Sequence, residues 1–559
     1  MTIVPSAGIA LHLPSGGLAR HPDGLVRALA ADPEALPIGC FGDEAQARQA
    51  EALLHRHGAA GPVERLARAR PQALARFGTL LHPGPELARL AWRRLDVGER
   101  HYSLCGSVHG IASHAAMEAV TGLPVAPLRS WDALVCGSRV LRDGVRVLLE
   151  RQADYLAARL GAQRIALPQL PLIPPGVHCR DLAFDADARA TARRRLDIGA
   201  DDVVYLSLSG PSCRSGDHPQ QLFAALERAA AGAARLHLLL CIDDAAAPDT
   251  QAGAAAVDGA ALREAAAALC PSVRLLLLDG AAPRRREAWL AADAFVALAD
   301  GLQEEGGAAG LLEAMAAGLA CVAGDWGGQR DLLRDGVDGF LVPTWMPPAG
   351  AGIDLAQRYD DGVDSYDCYC GHISQAVALD GAALAQACAR LAADAGLRRQ
   401  LGAQARERAW RTFDWTVVLG RWRGLWAELE ERRRADPALA PALPQGAPDR
   451  LDPFVLLASH ARMQITPMAL VELAPDASLA LVRRYHELAI NRDAAGSLPT
   501  LEEFGLIFGS IGSRPMQVDE LLDALGPCDR PMLLRGLAWL CRMDLLRIRA
   551  AEQENGESL

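Results

Sequence analysis

Residues 300–344 read DGLQEEGGAAGLLEAMAAGLACVAGDWGGQRDLLRDGVDGFLVPT. The stretch begins where an apolar run ends, AFVALAD (294–300). It passes a glycine-rich turn into LLEAMAAG, a helical pattern, and reaches a second apolar run, ACVAGDW (320–326). Strand, turn, helix and strand in so short a span is the crossover unit of a parallel sheet. Such a unit leaves free backbone N–H groups and the positive end of a helix beside a strand terminus, which suits a diphosphate. Glu305 and Glu313, with seven residues between them, flank that turn. Two carboxylates in those places can accept hydrogen bonds from sugar or ribose hydroxyls.

Upstream, VVYLSLSG (203–210), RLHLLLCID (235–243) and VRLLLLDG (273–280) are further short apolar runs separated by helical segments. Continuous apolar strands alternating with helices predict a parallel sheet covered on both faces, with ligands at the carboxyl ends of its strands. HYSLCGSVHG (101–110) reads as a strand running into a glycine-containing loop. WDALVCGSRVLRDGVRVLLERQADYLAARL (131–160) reads as a buried strand, a turn and a long amphipathic helix. RIALPQLPLIPPGV (164–177) is too proline-dense for a sheet interior and fits an interdomain connection. Residues 1–100 show helical stretches, EAQARQAEALLHRHG and PELARLAWRRL, and only weak strand signals. FDWTVVLGRWRGLWAELEERRRA (413–435) is a closing helix, and ADPALAPALPQGAPDRLDP (435–453) a Pro/Ala-rich linker. Beyond it, MQVDELLDALGPCDRPMLLRGLAWLCRMDLLRI (516–548) has the cadence of a winged helix.

The ordered set of segments resembles the retaining glycosyltransferases of family four, in a bacterial subgroup. These have the GT-B fold, two Rossmann-like domains facing a cleft. The resemblance rests on the Glu-x7-Glu spacing, EAMAAG, the DWGGQRD loop and DGVDGFLVPT. It extends to YSLCGSVHGIAS, APLRSWDALVCGSRVLRDGV, the PPGV junction and the final FDW, and covers roughly residues 75–430. It implies an α/β architecture with an acceptor-side domain over 1–180 and a nucleotide-sugar domain over 181–415. A crossing helix over 416–434 and a linker over 435–453 then lead to a small, mainly helical, winged-helix-like domain over 454–559.

By the same resemblance, Glu313 holds the nucleotide ribose, Glu305 faces the donor sugar, and His109 approaches the transferred sugar from the opposite side of the cleft. Counting forward from Asp300 and Gln303 selects Glu304 in place of Glu305, so the first carboxylate has two candidates. Family members carry a Gly-Arg pair and a nearby lysine after the first strand of the second domain, and these cations neutralise the leaving diphosphate. Here that stretch is LSLSGPSCRSGDHPQQ, with Gly210 and Gly216 where the cations would stand, aligned through His218-Pro219. All 57 Lys+Arg positions of the chain are arginine. Arg214 either takes over the phosphate contact, helped by the backbone around Gly306 and Gly307, or the site is degraded. The expected activity is metal-independent transfer of a hexose from a nucleotide diphosphate sugar to a hydroxyl acceptor, with retention. The acceptor is a saccharide, a lipid-linked saccharide or a protein, in glycan or glycoconjugate biosynthesis. The alternative is a catalytically inactive relative, a partner subunit or nucleotide-sugar sensor acting through its C-terminal domain.

Composition narrows the rest. The net charge of -11 argues against a general nucleic-acid binder. The C-terminal arginines Arg530, Arg535, Arg542, Arg547 and Arg549 are interspersed with acidic residues, and Leu533, Leu534, Leu537 and Leu540 fit a packed helix face, so that domain reads as a module for protein–protein or intramolecular docking and not as a DNA reader. Cys368-x-Cys370-x-His372 is spaced too tightly for a zinc site and reads as a loop near the cleft; no cofactor or metal is expected. No apolar run spans a bilayer, there is no signal-peptide pattern, and the thirteen cysteines lack a spaced framework. The expected location is the cytoplasm, with peripheral attachment at the inner membrane face as a variant.

Overall fold

The computed structural model describes residues 8–13, 20–34, 36–68, 70–209, 219–231, 235–242, 259–279, 282–298, 306–436, 447–527 and 529–549. The chain divides into two compact units, Met1–Ala447 and Pro448–Leu559.

The first unit holds two six-stranded sheets. Strands β1 (Ile9–Leu11), β2 (Ile38–Gly42), β3 (Val63–Ala67), β4 (Thr79–His82), β5 (Ser103–Val108) and β6 (Ala133–Cys136) pair in parallel in the order β3-β2-β1-β4-β5-β6. Strands β7 (Val203–Ser209), β8 (Leu236–Ile242), β9 (Arg274–Asp279), β10 (Ala294–Ala297), β11 (Ala320–Gly324) and β12 (Gly339–Val342) form the second, ordered β12-β11-β10-β7-β8-β9. Both are the doubly wound order of a Rossmann-like domain, in which the strand order reverses between the first and fourth strands. Apolar side chains cover both faces of each sheet, which is why the strands read as unbroken apolar runs.

Four strands lie in the first hundred residues, where the sequence signals strand only weakly. They are three to five residues long and embedded in Ala- and Arg-rich sequence, so periodicity has little length to register. The edge strand β3 also carries exposed Glu64 and Arg65, the charged blunting typical of a sheet edge. The other expected strands fall where the apolar runs place them.

Local chemistry starts and stops the helices. Ser138 caps helix Arg139–Leu160 by accepting from the Leu141 N–H, and Gly161 closes it with φ 68°. The proline-dense stretch runs beside β6, bridging Ala133 to Gln169 and Cys136 to Leu172. The closing helix Trp415–Ala435 packs Trp415, Trp422 and Trp426 into the core beneath the N-terminal sheet. Its approach needs two glycines: a Cβ on Gly24 would lie 2.8 Å from Trp415 Nε1, and one on Gly176 only 2.4 Å from Trp415 Cδ2. Two-residue strands β13 (Thr344–Trp345) and β14 (Ala378–Leu379) pair beside the second sheet.

Cys368, Cys370 and His372 lie on a helix, Tyr366–Ser374, capped by Ser365, and not in a loop. A helix turns about 100° per residue, so Cys370 points away from the face that carries Cys368 and His372. Cys370 is buried, and His372 Nδ1 lies 3.3 Å from Asp364 Oδ2.

The second unit is mainly helical around a three-stranded antiparallel sheet of β15 (Leu470–Leu473), β16 (Met516–Gln517) and β17 (Leu546–Arg549). Phe504, Ile507, Leu521, Leu537 and Leu540 form its own core. Its arginines serve local structure: Arg530 pairs with Asp523, Arg549 with Glu472 at 2.6 Å, and Arg535 donates to the Ser497 carbonyl. Among the described residues, no helix is long and apolar enough to cross a membrane.

Candidate active site

Helix Gly306–Ala317 begins at Gly306-Gly307 and continues through Ala, Gly, Leu and Met, with Glu313 as its one charged residue. Leu311, Leu312, Ala314, Met315 and Ala316 around it are fully buried. A carboxylate on so apolar a helix needs a partner. Arg285, on helix Ala282–Ala291, supplies it, donating from Nη2 to Glu313 Oε2 at 2.6 Å.

His109 follows β5 at its carboxyl end, with Nε2 3.1 Å from Ser107 Oγ. Glu313 and His109 line one cavity of about 350 Å³. Its floor is apolar, with Leu11, Leu13, Leu81, Ile173, Trp415 and Trp422. Arg27, His178 and Asp181 stand on its wall. Arg27 donates to Asp181 through Nη1 at 2.5 Å and Nη2 at 2.9 Å, which holds the Asp181 carboxyl below its usual range. Burial, then the Arg27 charge, lowers the pKa of His178.

Further contacts join the two Rossmann-like halves. Arg139 binds the Asp331 carboxylate through its backbone N–H at 2.7 Å and its Nε at 2.6 Å. The His114 ring stacks on Tyr359 with centroids 3.8 Å apart, and Tyr359 stacks in turn on Tyr369 at 4.7 Å.

Of the sequence-derived site residues, His109 and Glu313 come together at the cavity, and Gly306 and Gly307 open the helix that carries Glu313. Glu304, Glu305, Gly210, Arg214, Gly216 and His218 lie outside the described residues. Those two segments follow β10 and β7, the strands between which the strand order of the second sheet reverses. Sequence reasoning missed Arg285, His114 and Tyr359. Arg285 sits within the run Arg284-Arg285-Arg286, and nothing in that run marks which arginine turns inward.

Two doubly wound parallel sheets meeting at a shared cavity define the GT-B architecture. Residues 250–352, the span that includes Glu313, match the family model described as glycosyl transferases group 1. Similar solved structures include Anabaena Alr3699/HepE in complex with UDP, at 16% identity over 75% of this chain and 100% of that one, TM-score 0.47. A glycosyltransferase from Rickettsia africae aligns at 13% identity over 76% and 98% of the two chains, TM-score 0.46. Sucrose-phosphate synthase from Thermosynechococcus elongatus aligns at 18% identity over 76% and 99%, TM-score 0.43. The search of curated proteins returned no match.

Proposed function

We propose that this protein is a nucleotide-sugar glycosyltransferase that moves a hexose to a hydroxyl acceptor with retention of configuration. The observation that carries the reading is Glu313 and His109, one from each Rossmann-like half, at a single cavity, together with the family match over the Glu313 segment. In this reading residues 1–180 form the acceptor side, residues 181–415 the donor side, and residues 454–559 a protein-docking module. Glu313 accepts hydrogen bonds from the ribose hydroxyls and is oriented by Arg285. His109 meets the donor sugar from the acceptor side, and Glu305 or Glu304 meets it from the donor side. The bond from the anomeric carbon to the diphosphate oxygen breaks while the acceptor oxygen bonds to that carbon on the same face. The acceptor's proton passes to the departing phosphate, so the step needs neither a metal nor a separate base. Arg214 and the backbone at Gly306-Gly307 carry the diphosphate's charge. The protein works in the cytoplasm.

The test is incubation of the full chain with UDP-, GDP- and ADP-sugars, reading thermal stabilisation and release of nucleoside diphosphate. One donor should stabilise the protein and turn over slowly, with Glu313→Gln reducing both effects at least about tenfold, the loss of one charge-assisted hydrogen bond. Retention is read from the anomeric configuration of the product. If no donor stabilises the protein, or Glu313→Gln binds it unchanged, the reading falls. The alternative is a catalytically inactive relative that keeps the nucleotide site, with Glu313 still oriented by Arg285. That reading predicts stabilisation by a nucleotide without release from any donor.

A further inference from the structure

His109 leaves β5 on a short loop, residues 109–113, that runs into helix His114–Thr121. Ser113 caps that helix by accepting from the Ala116 N–H at 3.2 Å. From below, the loop is seated by Ile111, whose side chain fills the space left open at Gly144: a Cβ there would lie 2.3 Å from Ile111 Cδ1. Gly144 belongs to helix Arg139–Leu160, and Arg139 at its start binds Asp331 of the second Rossmann-like half. His114, at the far end of the loop, stacks on Tyr359 of that same half. The second half therefore reaches the His109 loop twice, beneath it through the helix and beside it through His114.

Tyr359 is delivered by a braced excursion of the chain. After β12 the chain leaves through β13 and returns through β14, which pair antiparallel, Thr344 with Leu379 and Trp345 with Ala378. Residues 346–377, enclosed by that neck, form a finger with two helices, Ile353–Asp360 and Tyr366–Ser374. Arg358 donates to both oxygens of the buried Asp364, at 2.8 Å each, and His372 Nδ1 lies 3.3 Å from the same carboxylate. This bracing fixes the backbone next to Tyr359, and Tyr369 of the finger stacks on its ring with planes 16° apart. The His114 ring stacks on it with planes 20° apart, and the His114 N–H is 3.5 Å from the Tyr359 hydroxyl. Two rings stacked that closely on a third cannot share one face, so Tyr359 is clamped between Tyr369 of its own half and His114 of the other.

Magnitudes decide what such contacts can do. One aromatic pair shifts an equilibrium about three- to tenfold. The Arg139 side chain is 62% exposed, and an ion pair so exposed adds little. Neither contact welds the halves together. Each biases them toward the arrangement seen here, from which they can part to admit a substrate or release a product.

We propose that the finger over residues 346–377 is a clasp that sets the His109 loop, with Tyr359 as a positioning residue acting through His114. With the clasp closed, His109 is held at the cavity it shares with Glu313. With it open, the loop keeps its seat on Gly144 but loses the support at its far end. That His109 then meets a donor sugar rests on the glycosyl-transfer reading; the clasp rests on the contacts alone. Glu313, the residue assigned to the nucleotide, lies on the half that carries the finger. The clasp therefore acts on turnover and leaves nucleotide affinity alone.

The test compares the full chain with its Tyr359→Ala, Tyr359→Phe and His114→Ala variants. Hydrogen exchange, calorimetry with UDP, GDP and ADP, and turnover of the donor that stabilises the parent are read in parallel. Tyr359→Ala and His114→Ala should each speed exchange over residues 109–121 about three- to tenfold, with β4 and β6 unchanged. Each should lower kcat by a similar factor while nucleotide affinity stays within about twofold. Tyr359→Phe keeps the ring and should restore both readouts, and the double variant should add nothing to either alanine variant. Circular dichroism checks folding, and His114→Ala carries the test if Tyr359→Ala disrupts the finger. Unchanged exchange over 109–121, acceleration spread evenly through the N-terminal sheet, an unchanged kcat, or a Tyr359→Phe variant as impaired as Tyr359→Ala overturns the proposal. Faster exchange at 109–121 in a protein that no donor stabilises supports the clasp while removing the glycosyltransferase reading.

Discussion

Arg285 and His12 show how much one side chain's surroundings decide. Arg285 touches the carboxylate assigned to the ribose, so it acts through Glu313 as a positioning residue. Arg285→Ala should weaken nucleotide binding roughly tenfold, about 1.4 kcal/mol. In a Glu313→Gln background the same change should add nothing, because the two residues share one interaction. Calorimetry on the four proteins checks the cycle, and additive losses would mean that Arg285 meets the nucleotide independently. His12 has a folded-state pKa near 4, below the 6.5 of an unfolded histidine. The unfolded chain therefore binds more protons between those values. The stability from keeping His12 neutral is whole above pH 6.5 and is lost as pH falls toward 4. That contribution is on the order of 3 kcal/mol. His178 and His237 are lowered as well and act in the same direction. Urea midpoints at pH 7.5, 6 and 5 should fall less steeply in His12→Gln than in the parent protein.

At the scale of elements, a buried ion pair ties the start of β6 to helix Leu87–Arg94. Arg94 donates to both oxygens of Asp132, at 2.6 and 2.7 Å, and to the Tyr102 and Pro127 carbonyls. Asp132 also receives the Leu104 and Arg129 backbone N–H groups, each at 2.8 Å. Both side chains are fully buried. Asp132→Ala leaves the guanidinium uncompensated and should cost about 3–5 kcal/mol, read from urea denaturation. A cost below about 1 kcal/mol would mean that water replaces the carboxylate. The His114–Tyr359–Tyr369 stack is a softer joint. Tyr359→Ala should speed hydrogen exchange across helix Ile353–Asp360, with little change in the protection of β5 and β11. Equal acceleration in all three would make the stack part of the global core.

For the whole molecule, the second unit has its own sheet and core, so residues 448–559 should fold alone and unfold in one cooperative thermal transition. A fragment lacking such a transition would show that this core depends on the rest of the chain. The same fragment tests the docking reading. With Arg530 and Arg549 already paired to carboxylates, it should not show the steep salt-dependent duplex binding of a groove reader.

The sequence alone determined the parallel sheet of the second half, because apolar strands buried on both faces leave a pattern that needs no partner to be read; the two-domain architecture was legible only through the family resemblance. Glu313 could be singled out from the sequence, through the Glu-x7-Glu spacing beside a glycine-rich turn, because that spacing is a local feature. The short strands β1 to β4 stayed faint because three to five residues carry little periodicity. Tertiary structure alone decided which of three consecutive arginines meets Glu313, and that Arg68 reaches across β2 to His12. These pairings join residues far apart in the chain, and a side chain's inward turn depends on packing that no local spacing encodes.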